Sequence, residues 1–241
     1  GAPRPVREYT SHLAASKGKG IRAAALLACA SGDAGSVRPD AVRMAAAIEL
    51  THLATLVHDD VMDDAPTRRG LITLQKKYGK RTAVICGDYL LCAALQVLAG
   101  CEERDRLSQS RFAGDITRVC LGELEQHLNN GNLSLSVYRY LKIISGKTAA
   151  LFEAAFMAGA LLLSPGASEL SRYRRLGRYV GMIFQLKDDC NDFEQDESAA
   201  KKPVRSDYEQ GVVTLPLIAA LTNDEKLKDS LSGGLSGERL P

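Results

Sequence analysis

The amino-acid sequence predicts an all-α fold. Its Val and Ile residues are scattered through Ala- and Leu-rich segments at helical spacing, and no segment shows the strict alternation that is typical of a β-strand. Apolar residues make up 45% of the 241 residues, which is ample for a hydrophobic core. The turn signals between the helical segments are too short for an interdomain linker, so we expect a single-domain helical bundle over residues 1–241.

The helices are expected one after another along the chain, each ended by turn residues. They cover residues 20–31, 40–64, 81–101, 105–130, 134–146, 147–163, 168–195 and 212–222. Clusters of Gly, Asp, Pro and Ser mark the breaks at 32–36, 65–66 and 164–166. The small and polar residues 231–238 are expected to be mobile or to belong to a longer chain.

Composition and charge exclude several classes of protein. A formal net charge of +2 argues against a general nucleic-acid-binding surface. No uninterrupted apolar run has the length of a bilayer span and no basic-then-apolar leader begins the chain, so we expect a cytoplasmic protein without a transmembrane segment. The absence of a C-x-x-C pair favours free thiols for the six cysteines, which are Cys29, Cys86, Cys92, Cys101, Cys120 and Cys190.

An acidic block, residues 58–64, ends the helix expected over 40–64. Its four aspartates repel one another, and their pKa values would rise unless a cation or hydrogen bonds offset the repulsion. On a helix, Asp59 and Asp63 lie one turn apart on the same face, where they can hold a hard cation such as Mg²⁺. A solvated acidic helix end is the alternative, but the apolar run 53–57 before the block favours the metal site.

A second copy of this pattern occurs at residues 185–193, again at the end of an apolar helix. Asp188 and Asp192 have the same one-turn spacing as the pair in the first block. One D-D-x-x-D motif is weak evidence for a metal site, whereas two in an all-helical chain are specific. Because helical bundles build metal sites from facing helices, we expect carboxylates on opposite rims of a cavity.

Basic residues are interleaved with these two blocks. Each is more often a solvated surface cation when it occurs singly, but together they suit a diphosphate, since arginine forks grip phosphate oxygens and lysines act as point charges. Glycine and the helix N-terminus near residue 20 also favour an anion. The basic groups are Lys17-Gly18-Lys19-Gly20-Ile21-Arg22, Arg68-Arg69, Lys147-Thr148 and Lys201-Lys202.

His52 lies seven residues before Asp59 and almost on the same helix face. A lone helical histidine is usually structural, but a ring in line with a metal-binding carboxylate is well placed to donate to a substrate anion. Glu49 and His52 also fit the E-x-x-H pattern of di-iron bundles. No second E-x-x-H is present, which argues against the di-iron alternative.

These motifs closely resemble those of the trans-type isoprenyl (polyprenyl) diphosphate synthases, in the family's order and from Lys17 to Leu221. Gly18-Lys19-x-x-Arg22 resembles the family's G-K-R-x-R-P, although Gly20 and Ala23 replace its inner Arg and its Pro. The further matches are Glu49 to Asp63, Arg68 to Gly70, Gly87 to Leu90, Gly122-Glu123-x-x-Gln126, Lys147 to Phe152, Gln185 to Phe193, Lys202-Pro203 with Asp207, and Gly211 to Pro216.

The resemblance implies an isoprenoid-synthase bundle around a central apolar cavity, and a Mg²⁺-dependent condensation of isopentenyl diphosphate with an allylic diphosphate. It implies three Mg²⁺ ions, with Asp59 and Asp63 bridging two, Asp188 binding the third, and Asp60, Asp189 and Asp192 supporting them. The allylic diphosphate would be held by Arg68, Lys147, Gln185 and Lys202, with Thr148 beside the reacting carbon. Isopentenyl diphosphate would be held by Lys19, Arg22, His52 and Arg69. The catalytic set is then Asp59, Asp60, Asp63, Lys147, Thr148, Gln185 and Asp188.

The chain departs from the family pattern in two respects, and the same resemblance indicates the length of the product. Val212 stands where the family often has Lys, which removes one phosphate contact, and the chain is shorter than family members at both ends. Bulky residues just before the first block shorten the product in the family, and here those positions hold the small Ala54 and Thr55. We therefore expect a medium- or long-chain product above twenty carbons, with Ile48, about 16 Å deeper along the helix, as part of the cavity floor.

Two other functions share parts of this pattern. A class I terpene cyclase would usually replace the second aspartate block and would not need the isopentenyl diphosphate residues. A non-catalytic subunit of a heterodimeric prenyl synthase would tend to lose aspartates, and this chain keeps both blocks. The intact motifs favour the enzyme, for which the resemblance implies a homodimer.

Overall fold

The structure, a computed structural model, describes residues 2–16, 18–31, 37–102, 111–164, 166–194 and 210–235. These residues are helical almost throughout, which confirms the all-α expectation. A 3₁₀ turn at Arg4–Val6 is followed by α1 (Arg7–Ala15), α2 (Ile21–Ala30), α3 (Pro39–Met62), α4 (Leu74–Tyr78), α5 (Lys80–Ala99), α6 (Phe112–His127), α7 (Val137–Ile144), α8 (Ala150–Leu161), α9 (Ala167–Glu194), α10 (Leu215–Asn223) and α11 (Glu225–Leu235).

Local structure departs from the sequence expectation in several short elements. Strands β1 (Thr67–Arg68) and β2 (Leu71–Ile72) form an antiparallel hairpin, closed by a turn in which Arg69 and Gly70 have positive φ. Helix α1 precedes the first expected helix, and α11 covers residues expected to be a mobile tail. Such elements are too short or too polar for hydrophobic spacing to reveal them.

A π turn at Ser145–Ala149 joins α7 to α8, where the sequence predicted a break between two helices. Single π turns inside helices are rare and frequently occur at functional sites. This one contains Lys147 and Thr148, two of the predicted site residues.

The chain separates into two compact units, and the single-domain expectation stays a prediction. Residues 1–113 and 151–177 form the first unit, in which α3 packs against α2 and α5. One core cluster there consists of Ala54, Val57, Leu74, Ala83, Cys86 and Leu90. Residues 114–150 and 178–241 form the second unit, and its core cluster consists of Leu135, Tyr140, Ile143, Ile144, Val213, Leu217, Ile218 and Leu221.

Helix α5 is, by length and composition alone, long and apolar enough to cross a membrane. This is weak evidence, because the core helices of soluble proteins pass the same test. Asp88 is a charged residue within this helix, and its Oδ1 lies 3.3 Å from the His58 Nε2 of α3. The described residues contain no second helix of this kind.

Candidate active site

The first aspartate block ends α3 with its carboxylates in two different environments. Asp60 is 6% exposed, and the Nε of Arg68 in β1 donates a hydrogen bond to its Oδ1 at 2.5 Å. Burial raises the pKa of Asp60, and the neighbouring Arg68 opposes that rise. Asp59 is partly exposed, and Asp63, the C-cap residue that follows α3, is exposed. The outer pair is therefore the one that a cation can reach.

Asp64 belongs to the turn after α3 rather than to this pair. Its carboxylate lies 3.0 Å from the Lys76 Nζ and 3.1 Å from the Lys80 Nζ. Hydrogen bonds from these two lysines lower the pKa of Asp64. With a φ of 49°, its backbone has left the helix.

Arginines surround His52 in the same unit. Burial lowers the pKa of His52 to about 3, and the positive charges of Arg22, Arg69 and Arg68 act in the same direction. The ring is therefore neutral at physiological pH, and one of its nitrogens can donate a hydrogen bond. Four of the predicted substrate residues thus form one electropositive cluster.

Close packing holds the α2 side of this cluster. A Cβ atom at Gly18 would lie 2.6 Å from the Arg69 Nη1, so the guanidinium rests directly on the Gly18 backbone. The Arg22 guanidinium lies 4.6 Å from the centroid of the Phe152 ring, within cation–π distance. Burial lowers the pKa of Arg22 to about 10, which leaves it protonated at neutral pH. Lys19 is exposed between these two contacts.

Glu49 is a member of the cluster that sequence reasoning did not assign to the site. Its Oε1 accepts a hydrogen bond from the backbone N–H of Ala23 at 3.0 Å, in the first turn of α2. The residue before that turn, Gly20, has no side chain with which to cap the helix. The carboxylate also favours the charged form of Arg22. Glu49 opens the motif that resembles the family's first aspartate-rich region, but that resemblance implies no role for it in the site.

In the second unit, α6 approaches the π turn through a pair of glycines. A Cβ atom at Gly122 would overlap with the backbone of Lys147, and one at Gly146 would lie 2.9 Å from the Arg118 carbonyl oxygen. The Lys147 Nζ forms an ion pair with Glu123 of α6 at 2.9 Å. The lysine is thus fixed at both its backbone and its ammonium group.

A chain of hydrogen bonds runs from the π turn into α9 and back to α7. The Thr148 hydroxyl donates to the Gln185 Oε1 at 2.6 Å, and the Gln185 Nε2 donates to the Asp189 Oδ1 at 2.7 Å. The Tyr140 hydroxyl donates to the other oxygen of Asp189. Asp189 is 3% exposed; burial raises its pKa, and these hydrogen bonds oppose the rise.

The second aspartate block therefore repeats the arrangement of the first. Its middle residue, Asp189, is buried and hydrogen-bonded, whereas Asp188 is exposed and Asp192 partly exposed. In the described residues no three His, Cys, Asp or Glu side chains are close enough to hold a metal ion by themselves. The donor chemistry nevertheless fits Mg²⁺, which prefers carboxylate oxygens and usually completes its shell with waters and substrate phosphates.

A pocket in the second unit adjoins this hydrogen-bond chain. Its lining includes Lys147, Gln185 and Asp189 together with Val212 and Thr214. The Thr214 hydroxyl is buried and has no hydrogen-bond partner among the described residues. A buried hydroxyl without a partner is costly, so a water or a bound group is expected beside it.

Comparison with known proteins decides the family. The Polyprenyl synthetase family model matches residues 3–237. The heptaprenyl diphosphate synthase component 2 of Geobacillus stearothermophilus is 39% identical over 229 residues, which are 95% of this chain and 70% of that protein. The chain belongs to the polyprenyl synthetase family. This membership confirms the sequence resemblance and makes the protein a prenyltransferase.

Solved structures of the polyprenyl synthetase family share the fold. The Staphylococcus aureus heptaprenyl diphosphate synthase has a TM-score of 0.89 at 32% identity, covering 96% of this chain and 72% of that one. A Caulobacter crescentus polyprenyl synthase, complexed with calcium and isoprenyl diphosphate, has a TM-score of 0.81 at 29% identity, covering 95% and 69%. The chain is thus shorter than each of these relatives.

Two of the residues expected to set product length in this family lie in different surroundings. Ala54 is 2% exposed and belongs to the cluster packed between α3 and α5. Thr55 is partly exposed, and its hydroxyl donates to the His52 carbonyl oxygen. Ile48 is fully buried. Thr55 is therefore the position of the two that tolerates a larger side chain. Lys202, the remaining predicted phosphate ligand, lies outside the described residues.

Proposed function

We propose that this protein is a Mg²⁺-dependent prenyltransferase that condenses isopentenyl diphosphate with an allylic diphosphate to give a medium- or long-chain all-trans polyprenyl diphosphate. The proposal rests on the cluster of Arg22, Arg68 and Arg69 around a neutral His52. His52 lies in α3, seven residues before Asp59 of the Asp59–Asp63 pair. Such a cluster suits a polyanion, and the adjoining carboxylates suit the cation that accompanies a diphosphate.

Aspartates of both blocks would hold the metal ions in this proposal. Asp59 and Asp63 bind in the first unit and Asp188 in the second, with Asp60, Asp189 and Asp192 supporting them. Three ions are bound when substrate is present. Bound there, Mg²⁺ would supply the positive charge that offsets the negative charge developing on the leaving diphosphate oxygen. The calcium and isoprenyl diphosphate held by the Caulobacter crescentus relative support this assignment.

The allylic diphosphate is held by Arg68, Lys147, Gln185 and Lys202. Its C–O bond breaks, the electron pair leaves with the diphosphate, and Lys147 donates to that oxygen from a position fixed by Glu123. Thr148 lies beside the reacting carbon in this proposal. Apolar walls exclude the water that would otherwise capture the allylic cation.

Isopentenyl diphosphate is held by Lys19, Arg22, His52 and Arg69. Its double bond attacks the allylic cation, and a new C–C bond forms. The departed diphosphate then removes a proton from the resulting cation, and loss of this proton forms the double bond of the product. His52 donates a hydrogen bond to the isopentenyl diphosphate as a neutral ring, because burial and the three neighbouring arginines disfavour its protonation.

The protein acts as a cytoplasmic homodimer in this proposal. A non-catalytic subunit of a heterodimeric synthase is the alternative. It is suggested by the Geobacillus stearothermophilus relative, which is named as component 2 of a synthase. Both aspartate blocks are present here, which supports catalysis. A class I terpene cyclase is less well supported, because it has no use for the isopentenyl diphosphate residues.

The test is condensation in vitro. Labelled allylic diphosphates of five, ten, fifteen and twenty carbons are incubated with isopentenyl diphosphate, with and without Mg²⁺, and the products are sized by chromatography. We expect Mg²⁺-dependent products longer than twenty carbons from at least one primer. Absence of condensation with every primer would reject the proposal, and cyclised hydrocarbons without chain growth would favour the cyclase.

A further inference from the structure

We propose that Tyr140 is a positioning residue for the allylic diphosphate half of the site, acting through Asp189. This inference rests on the proposed function, since it concerns residues assigned to that substrate. Tyr140 is not part of any motif that the sequence pointed to, and by spacing it is an ordinary core residue of an amphipathic helix.

The position of Tyr140 allows it to act on two elements at once. It lies in α7, which continues directly into the π turn that carries Lys147 and Thr148. Its ring is 2% exposed and packs in the core cluster of the second unit. Its hydroxyl reaches Asp189, which is 49 residues further along the chain in α9. One side chain therefore joins the helix before the π turn to the helix that carries the second aspartate block.

The hydrogen bonds around Asp189 leave little freedom in the network. One carboxylate oxygen accepts from Tyr140, and the other accepts from the Gln185 amide nitrogen. The amide oxygen of Gln185 is then oriented toward the Thr148 hydroxyl, from which it accepts a hydrogen bond. Loss of the tyrosine hydroxyl frees Asp189 to rotate, and the orientation of Gln185 and Thr148 is lost with it.

The same contacts separate positioning from packing. A phenylalanine at position 140 keeps the ring in the core cluster and removes the hydroxyl that donates to Asp189. Tyr138 provides a matched control, because it lies in the same helix and is 80% exposed. Tyr140→Phe therefore removes a buried hydroxyl that bonds to a carboxylate, whereas Tyr138→Phe removes an exposed hydroxyl.

Steady-state kinetics with each substrate varied in turn test the proposal. We expect Tyr140→Phe to lower kcat/KM for the allylic diphosphate about tenfold or more, the usual effect of losing a hydrogen bond to a charged group. The KM for isopentenyl diphosphate should stay within about twofold of the wild-type value, and Tyr138→Phe should match the wild type. Equal losses for both substrates, or no loss at all, would overturn the proposal.

A thermodynamic cycle covers the case in which Tyr140→Phe also weakens folding. Urea unfolding is measured for Tyr140→Phe, Asp189→Asn and the double variant, and needs no activity. If Tyr140 acts through Asp189, the double variant loses clearly less stability than the sum of the single losses. Additive losses would show that the hydroxyl acts elsewhere and would overturn the proposal.

Binding of inorganic diphosphate with Mg²⁺ separates this inference from the proposed function. Calorimetry compares the wild type, Tyr140→Phe and Tyr138→Phe. Weaker binding by Tyr140→Phe alone supports the positioning role even if the wild type condenses no substrate, in which case only the proposed function fails. Equal binding by all three proteins overturns the positioning role, whatever the condensation assay shows.

Discussion

The Glu49 carboxylate of α3 caps helix α2 from outside, by accepting a hydrogen bond from the Ala23 backbone N–H at 3.0 Å. The same carboxylate lies beside Arg22, whose charge it supports. Repulsion between the Glu49 carboxylate and a bound diphosphate would by itself disfavour an acidic residue at this position. Glu49 is better understood as the anchor of the α2 first turn and hence of the residues that precede it.

Glu49→Ala should therefore raise the KM for isopentenyl diphosphate by about tenfold, although it removes a negative charge from the cluster. The helix loses its cap, a change that costs about 1 kcal/mol elsewhere, and Arg22 loses a neighbour that fixes it. Steady-state kinetics measure the change, with Glu8→Ala, an exposed residue of α1, as the control. A lower KM in Glu49→Ala would show that the repulsion between carboxylate and substrate dominates.

Asp63→Asn and Asp64→Asn form a pair that tests the metal assignment. Asp63 belongs to the outer pair of the first block, whereas Asp64 is held by Lys76 and Lys80. We expect Asp63→Asn to lower kcat by about two orders of magnitude and to raise the Mg²⁺ concentration needed for half-maximal rate. Asp64→Asn should keep both values. Similar Mg²⁺ titrations for the two variants would remove Asp63 from the metal site.

Gly122→Ala should damage the site through the backbone of Lys147. The added methyl group overlaps with that backbone, so α6 and the π turn must separate, at a cost of about 1–3 kcal/mol in the free energy of unfolding. Gly114→Ala in the same helix meets no atom within 4 Å and should stabilise the protein by about 0.4–1 kcal/mol. Urea unfolding and condensation rates measure both effects, and a Gly122→Ala protein with wild-type stability would contradict the close approach.

Thr55→Phe should shorten the product. Thr55 is partly exposed, whereas Ala54 lies in a packed cluster where phenylalanine would instead destabilise the core. Chromatographic sizing of the products from one primer measures the shift, and Thr55→Ser serves as a control of nearly unchanged volume. An active Thr55→Phe enzyme with the wild-type product distribution would show that this position does not limit chain growth.

His52 should make stability depend on pH below neutrality. Its folded pKa of about 3 lies below the unfolded value of about 6.5, so the unfolded chain binds the extra proton first. Stability is therefore full above about pH 6.5 and falls as the pH drops toward 3, by at most about 1.4 kcal/mol per pH unit. Urea unfolding at pH 7 and pH 5 should show a smaller loss for His52→Asn. His127→Asn, a change at an exposed residue of α6, should follow the wild type.

The all-α fold could be recognised from the sequence, and the site residues could be proposed from it, because both signals are local. Apolar spacing located the long helices, and the one-turn spacing of Asp59 and Asp63 is written in adjacent residues. Which aspartate turns inward was not evident from that spacing. It depends on Arg68 in one block and on Tyr140 in the other, and these partners approach only in the folded chain.

Long-range contacts explain what the sequence did not reveal. Glu49 caps a backbone amide 26 residues away, and no local pattern marks such a contact. The sequence predicted a boundary between two helices after Gly146, where the structure has the π turn. In the structure this glycine is required by the approach of Arg118 and Gly122.

Because of the π turn at Ser145–Ala149, the geometry of the site depends on the number of residues between α7 and α8 as well as on their identity. A helix that contains a π turn holds one residue more than a regular helix in the same place. Loss of a single residue there would let the segment close as an ordinary helix, so that the flanking helices keep their register while the side chains within the turn, Lys147 and Thr148, change direction. Two relatives with identical side chains around this segment would then differ in geometry if their alignment contained one gap.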